Sequence, residues 1–335
     1  YADGRYLDAY ACGRPLGPVQ NWPGTEGRVL AGRLIAHLGA ERLSWAIRLR
    51  AYRSDPTHAD AQYYALWAVL STRSPWKAWR LAQEIHTGEE PPRHFDSRQW
   101  ADWLAIRARL FATFRDFDAA DACIRQALEV APQSPWIHVE HAGVLWAEDQ
   151  YAQALEAALR SMEFKPWFRP AVQSAASLHV LLGDMAAGMR LLYEAAERLQ
   201  CAQIWLQLAS LHHEMQQPRE ALDALDCAER MMPLIEPKTA KGLILLRRDA
   251  HDRLGEREQA AAWALKLDKH FFDKELARHL NDPQRTGERK LLDVPFVRQH
   301  HVTCAPATLT AICHYWNKPA DHLEIAEEIC YDGTP

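Results

Sequence analysis

The sequence predicts an all-α chain: a solenoid of stacked helical hairpins fills most of its 335 residues, followed by a short segment of different design. Three observations carry this expectation. The chain repeats itself every 34 residues, a small residue recurs at one register position, and prolines recur where units end. The strings FRDFDAADACIRQALEVAP (114–132) and AEDQYAQALEAALRSMEFKP (147–166) superpose with Phe117 on Tyr151, Ala120 on Ala154, Ala127 on Ser161 and Pro132 on Pro166.

In chain order, DGRYLDAY (3–10) reads as the second helix of a partial unit over residues 1–20. Gly39, Ser44, Ala51 and Pro56 mark a unit starting near residue 25, and Ala78 and Ile85 mark one near 59. The two superposed strings close the units near 101 and 135. Gly183, Met185, Gly188 and Ala195 belong to the unit near 169; Ala221, Ala228 and Pro233 to the one near 202, with one residue dropped; Gly255, Ala260 and Leu267 to the last, near 241. Two spacings are stretched, to 42 residues at HTGEEPPRHFDS and to 39 at MMPLIEPKTAK; both contain Pro and read as longer loops. The shared small residue (Ala120, Ala154, Gly188, Ala221, Ala260) lets the two helices of a pair approach closely, and the prolines stop second helices. One such pair buries too little alone, so neighbours must stack.

This pattern resembles the tetratricopeptide repeat over residues 1–274. The match departs from the family pattern where His138 and His141 replace the expected Trp and Leu, and where Gly is replaced at several turns. The resemblance implies a concave groove, lined by the first helices, that binds an extended peptide or a partner helix. Carried onto this chain, the groove positions are Tyr63 and Trp67, Asp102 and Arg109, Trp136 and Trp146, and Gln173 and Ser177. The Lys, Arg and Asn set of the family's carboxylate-clamp variety is absent, so an apolar, aromatic groove is implied. The chain has 13 Trp; buried aromatics anchor peptides but serve equally as stacking residues between repeats.

Composition narrows the function. A formal charge of -5 with no sustained run of either sign argues against nucleic acid and anionic membrane as partners. The longest apolar stretches are far shorter than a bilayer span of about 20 residues. Seven scattered cysteines without a CxxC pair argue against a disulfide framework or structural zinc and suit a reducing cytoplasm. No signal-peptide pattern opens the chain, and Tyr1 is not expected as a natural start, so the chain reads as a fragment. No cofactor is expected: GxxxxGK[ST], GxGxxG and GxSxG are all missing. No metal is expected either, because HExxH is missing, His138 and His141 fall on core-facing positions, and HHEM (212–215) has no such spacing.

After Phe272 the period stops. Residues 275–290 read as a capping helix and linker. LLDVPFVRQ then offers a short extended run, HHVTCAPATLTAICHYWNK a helix with Cys304 at its start and an apolar body of Ala307, Leu309, Ala311, Ile312 and Tyr315, and PADHLEIAEEIC a second helix capped by Asp321. Val294, Pro295, Gln299, Cys304, Pro306, Ala307, Tyr315 and Trp316 resemble the opening of a papain-like cysteine peptidase, closest to the double-glycine leader peptidases. The resemblance implies a truncated α+β segment over 291–335, with Cys304 as nucleophile and Gln299 as side-chain donor of the oxyanion hole. A thiol at a helix N-terminus gains thiolate character, and an oxyanion donor is worth on the order of a hundredfold to a thousandfold in rate. Ala305 stands where the family usually has Gly, which crowds the substrate's approach. The family's later His and Asp or Asn have no counterpart before Pro335, since His300 and His301 precede Cys304 and His314 lies on its helix. The expectation is thus a cytoplasmic peptide-binding solenoid joined to the start of a cysteine peptidase domain. Its alternatives are a non-catalytic scaffold with an inactive papain-like domain, and a Cys304 that merely packs like the other six cysteines.

Overall fold

The computed structural model describes residues 1–267, 271–282, 284, 292–299 and 303–329. His300, His301, Cys330 and most of the expected linker lie outside the described residues. The chain divides into two units, Tyr1–Asp282 and Pro283–Pro335.

The first unit opens with α1 (Tyr6–Gly13) and two single 3-10 turns. Seven helical hairpins follow among the described residues: α2 (Gly24–His37) with α3 (Glu41–Ser54), α4 (Ala59–Thr72) with α5 (Pro75–Ile85), α6 (Ser97–Thr113) with α7 (Phe117–Val130), and α8 (Pro135–Ala147) with α9 (Tyr151–Phe164). Then come α10 (Arg169–Leu181) with α11 (Met185–Ala196), α12 (Ala202–Glu214) with α13 (Pro218–Arg230), and α14 (Pro237–Arg253) with α15 (Arg257–Leu265). A last helix, α16 (Phe271–Asn281), packs on α15 and belongs to this unit.

The hairpin turns explain why glycine can be replaced at them. In six of the seven, one residue takes the left-handed conformation: Gly39, Arg115, Asp149, Gly183, Gln216 and Gly255, with φ from 58° to 93°. The next N–H returns to the carbonyl five residues earlier, as from Asp116 to Phe111 (3.0 Å), Gln150 to Leu145 (2.8 Å) and Gln217 to His212 (2.9 Å). That bond satisfies an orphan helix carbonyl and offsets the roughly 1–2 kcal/mol that a left-handed non-glycine residue costs. Within the pairs, Ala120, Ala154, Ala221 and Ala260 are fully buried. At Gly188 an added Cβ would come within 2.8 Å of the Ala176 carbonyl oxygen, so the two helices there meet backbone to backbone.

The superhelix comes round on itself. Leu234 and Glu236 donate backbone N–H groups to the carbonyls of Leu38 and Gly39, both at 3.0 Å. The Glu236 carboxylate accepts from the Arg42 and Leu43 amides (3.0 and 2.9 Å), capping α3, which has no side-chain cap of its own. Gly39 is required at this seam: its φ is +93°, and a Cβ would lie 3.0 Å from Ile235 Cα and Met232 Cβ. On the other side the N-terminal segment pairs with the loop before α12, through Gln200 N–H to Gly4 O (3.0 Å) and Asp8 N–H to Gln200 Oε1 (3.1 Å). One apolar core joins Tyr6, Leu34 and Leu38 to Leu192, Leu208 and Met232. A cap contributes about 1 kcal/mol and each such large buried side chain roughly 1.5–3 kcal/mol. The apolar contacts therefore hold the closure, and the polar ones set its register.

The described part of the second unit consists of α17 (Cys304–Tyr315) and α18 (His322–Ile329). Residues 292–299 form neither helix nor ladder; the strand expected there is not seen, and no α+β architecture appears among the described residues. The apolar body of α17 is covered on one side alone. Pro306, Ala307 and Thr310 are buried, and Leu309 and Ile312 are exposed.

Candidate binding cavity

Curving the first helices inward creates a cavity of about 750 Å³ inside the first unit. One wall is aromatic. Tyr63, Tyr64 and Trp67 project from α4, Trp136 from the first turn of α8, and Phe168 precedes α10. Trp136 Nε1–H donates to Tyr63 Oη at 2.7 Å, and its ring meets Trp67 and Phe168 edge-on at 6.1 and 6.4 Å. Burial pushes the Tyr63 phenol well above its usual range, with Asp102 and Glu140 adding to it, so it stays protonated and available as a donor.

A second stretch of the wall, adjoining Tyr64, is cationic. Arg33 and His37 on α2, Arg48 on α3 and Arg169 on α10 line it. The Arg33 guanidinium lies over Tyr64 and Tyr1, 4.9 and 5.1 Å from their ring centroids; Arg48 lies 5.5 Å over Tyr64. His37 stacks flat on Tyr6 at 3.8 Å. Burial, reinforced by Arg169, Arg48 and Arg33, drives its pKa well below the usual imidazole value, leaving it neutral.

In the same lining Arg98 bridges two carboxylates, Asp60 at 2.8 Å and Asp102 at 2.9 Å. Burial pushes Asp102 up to about 7 despite Arg98, and Asp60 adds to the shift.

Of the groove residues expected from sequence, Tyr63, Trp67, Asp102 and Trp136 line this one cavity. Arg109 does not: its Nε–H donates to the buried Glu140 at 2.7 Å and its guanidinium lies 5.1 Å from the Trp67 ring centroid. Trp146 packs with Tyr151 and Leu178 in a separate apolar cluster. Gln173 and Ser177 join a polar ladder between α10 and α12, where Gln207 Nε2 donates to Ser177 Oγ (2.8 Å) and Arg169 Nη1 donates to Gln173 Oε1 (2.6 Å). Sequence reading missed Arg33, His37, Arg48, Tyr64, Phe168 and Arg169. A signal existed for Arg33, which stands one period of 34 before Trp67.

Three histidines weighed as metal ligands have partners in the fold. His138 stacks on Phe164 at 5.1 Å, His212 Nδ1 pairs with Gln217 Oε1 at 2.7 Å, and His213 Nε2 meets the Leu246 carbonyl at 3.2 Å. Among the described residues no group of three or more His, Cys, Asp or Glu side chains could hold a metal, and no helix is long and apolar enough to cross a membrane. Cys304 is exposed at the first position of α17 and Gln299 is exposed, while His314 Nε2 is engaged with the Ala320 carbonyl at 3.0 Å.

No protein-family model and no curated protein matches the chain. Solved structures do match in fold. They include an IFIT1 monomeric mutant with Gppp-AAAA (15% identity, 82% of this chain and 66% of that one, TM-score 0.54) and the Cut9–Hcn1 hetero-tetramer of APC/C (12%, 84% and 54%, TM-score 0.50). A tetratricopeptide repeat protein from Parabacteroides merdae also matches (15%, 72% and 89%, TM-score 0.46). The first unit has a tetratricopeptide-like helical-repeat fold.

Proposed function

We propose that the protein is a binding scaffold that takes an extended peptide segment of a partner protein into the central cavity. The observation that carries this reading is the aromatic wall. Trp67, Trp136 and Phe168 meet edge-on, and Trp136 is tied to Tyr63. Rigid, partly buried aromatics of this kind are the usual anchors of peptide recognition, where one residue contributes about 2 kcal/mol or more. The absence of basic runs leaves nucleic acid the weaker partner class, and the cytoplasmic setting suggested by cysteine usage belongs to the same proposal.

The test is selection from a random peptide display library on the intact chain, followed by titration of selected peptides against Trp67→Ala and Trp136→Ala. Each substitution is expected to weaken binding about thirtyfold, with circular dichroism melts confirming that the variants fold. Unchanged affinity in both folded variants overturns the proposal.

A second reading, a papain-like cysteine peptidase segment, is favoured by one observation: Cys304 is exposed at the start of α17. At pH 6 to 7 iodoacetamide should then label Cys304 faster than Cys123, whose thiol burial pushes up, and faster than the exposed Cys12. A Cys304 rate no greater than that of Cys12 removes the activated thiolate and leaves the scaffold reading alone.

A further inference from the structure

We infer that the cationic wall of the cavity is an oxyanion site, built to receive a carboxylate or phosphate carried by the bound peptide between Arg33, Arg48 and Arg169. This rests on the peptide-binding reading above and specifies the chemistry of the ligand.

Charge pairing is the first ground. Of the three carboxylates that line the cavity, Glu41, Asp60 and Asp102, the last two are taken by Arg98. Among the described residues no carboxylate lies within ion-pair distance of Arg33, Arg48 or Arg169. Their contacts are neutral ones: tyrosine rings for Arg33, the Tyr64 ring and the Gly32 carbonyl for Arg48, and Gln173 for Arg169. Three partly buried cations, none of them in a direct ion pair, make a costly arrangement that a ligand would complete, although Asp60 and Asp102 act on Arg33 at longer range.

Unsatisfied hydrogen-bonding capacity is the second ground. Arg48 Nε, Arg169 Nε and His37 Nδ1 are all shielded from water and have no hydrogen-bond partner. Buried polar atoms of native folds are nearly always paired, and the three residues that carry these atoms all line one cavity. Guanidinium forks match the two oxygens of a carboxylate or phosphate. His37 sits in the same field, since these three arginines add to burial in lowering its pKa.

A peptide oxyanion fits better than a polyanion. The chain's net charge of -5 opposes repeated phosphates, and the ring faces of Trp67 and Trp136 meet one another edge-on instead of standing open for base stacking.

The test uses the intact chain and isothermal titration with four probes: the capped hexapeptide Ac-Glu-Phe-Glu-Leu-Glu-Phe-NH2, its Gln-for-Glu analogue, its phosphoserine-for-Glu analogue, and hexa-adenylate RNA. The acidic peptide is expected to bind about tenfold to a hundredfold more tightly than the Gln analogue. Arg48→Gln and Arg169→Gln should erase that preference, and Arg48→Lys should retain part of it. Tighter binding of the phosphoserine peptide supports the same site with phosphate as its occupant. Equal binding of the acidic and Gln peptides overturns the oxyanion site but leaves the peptide-binding reading intact. Failure of all three peptides sinks both, and preference for the RNA over every peptide overturns this inference in favour of a nucleic-acid ligand. Circular dichroism melts of the variants separate lost binding from lost folding.

Discussion

Replacing Arg109 with alanine is expected to lower the unfolding free energy by about 3–5 kcal/mol, the cost of stranding a buried charge, as read from urea denaturation. Glu140 is 1% exposed, and Arg109 Nε–H is the donor it has, at 2.7 Å; its second carboxylate oxygen is buried without a partner. The guanidinium is wedged between the Trp67 ring and Gly143, where an added Cβ would lie 2.6 Å from Arg109 Nη2. Gly143 thus provides the space that the arginine fills. Alanine would leave the buried Glu140 carboxyl without its partner and would withdraw support from Trp67 in the aromatic wall. The double variant Arg109→Met with Glu140→Leu removes both charges at once and should recover most of the loss. A change below about 1 kcal/mol, the scale of exposed pairs such as Arg160 with Glu163, would show that water reaches the pair in solution.

Asp102→Asn is expected to stabilise the protein by about 4 kcal/mol at pH 8 and by less than about 2 kcal/mol at pH 5. Burial raises the Asp102 carboxyl from 3.8 to about 7, so the folded state holds a proton that the unfolded state has released. The stability this provides is complete below about pH 4 and is lost as pH rises through about 7. Over a shift of about three units linkage gives up to about 4 kcal/mol. The charges facing Asp102 are Arg98 on its own helix, Asp60 on α4 and Arg33 on α2; the Tyr63 and Tyr64 phenols on α4 stay protonated over this range. Asparagine keeps an acceptor for Arg98 without the buried charge. Urea midpoints of both proteins at pH 5 and pH 8 check the claim, and an identical pH dependence in the two would show that Asp102 is not the titrating group.

The hairpins were legible because a period, a small residue and a turn coincide at each of them. Arg115, Asp149 and Gln216 looked like departures from a glycine pattern, yet the six-residue hydrogen-bonded turn, not the residue type, defines the position. The stretched spacing at MMPLIEPKTAK was legible as a loop. Its task was not, because Leu234 and Glu236 bond to residues nearly two hundred positions earlier, and local pattern carries no trace of such a pairing. In the cavity the tryptophans drew attention as apolar residues on a helical face. Arg33, Arg48 and Arg169 did not, since an arginine on an amphipathic helix ordinarily reads as solvated surface. In the last segment, Gln299 and Cys304 form a chemically specific string, but no strand is seen among the described residues of that unit.

Repeat proteins commonly lengthen or shorten by duplicating or deleting a unit, since each unit touches only its neighbours. Here that freedom is lost. Inserting or removing one hairpin anywhere between α3 and α13 would rotate Gly39 away from Ile235, strand the amides of Arg42 and Leu43, and open the cavity on one side. The closure counts the repeats, and a lineage carrying it can change what it binds only by substituting residues on the inner walls.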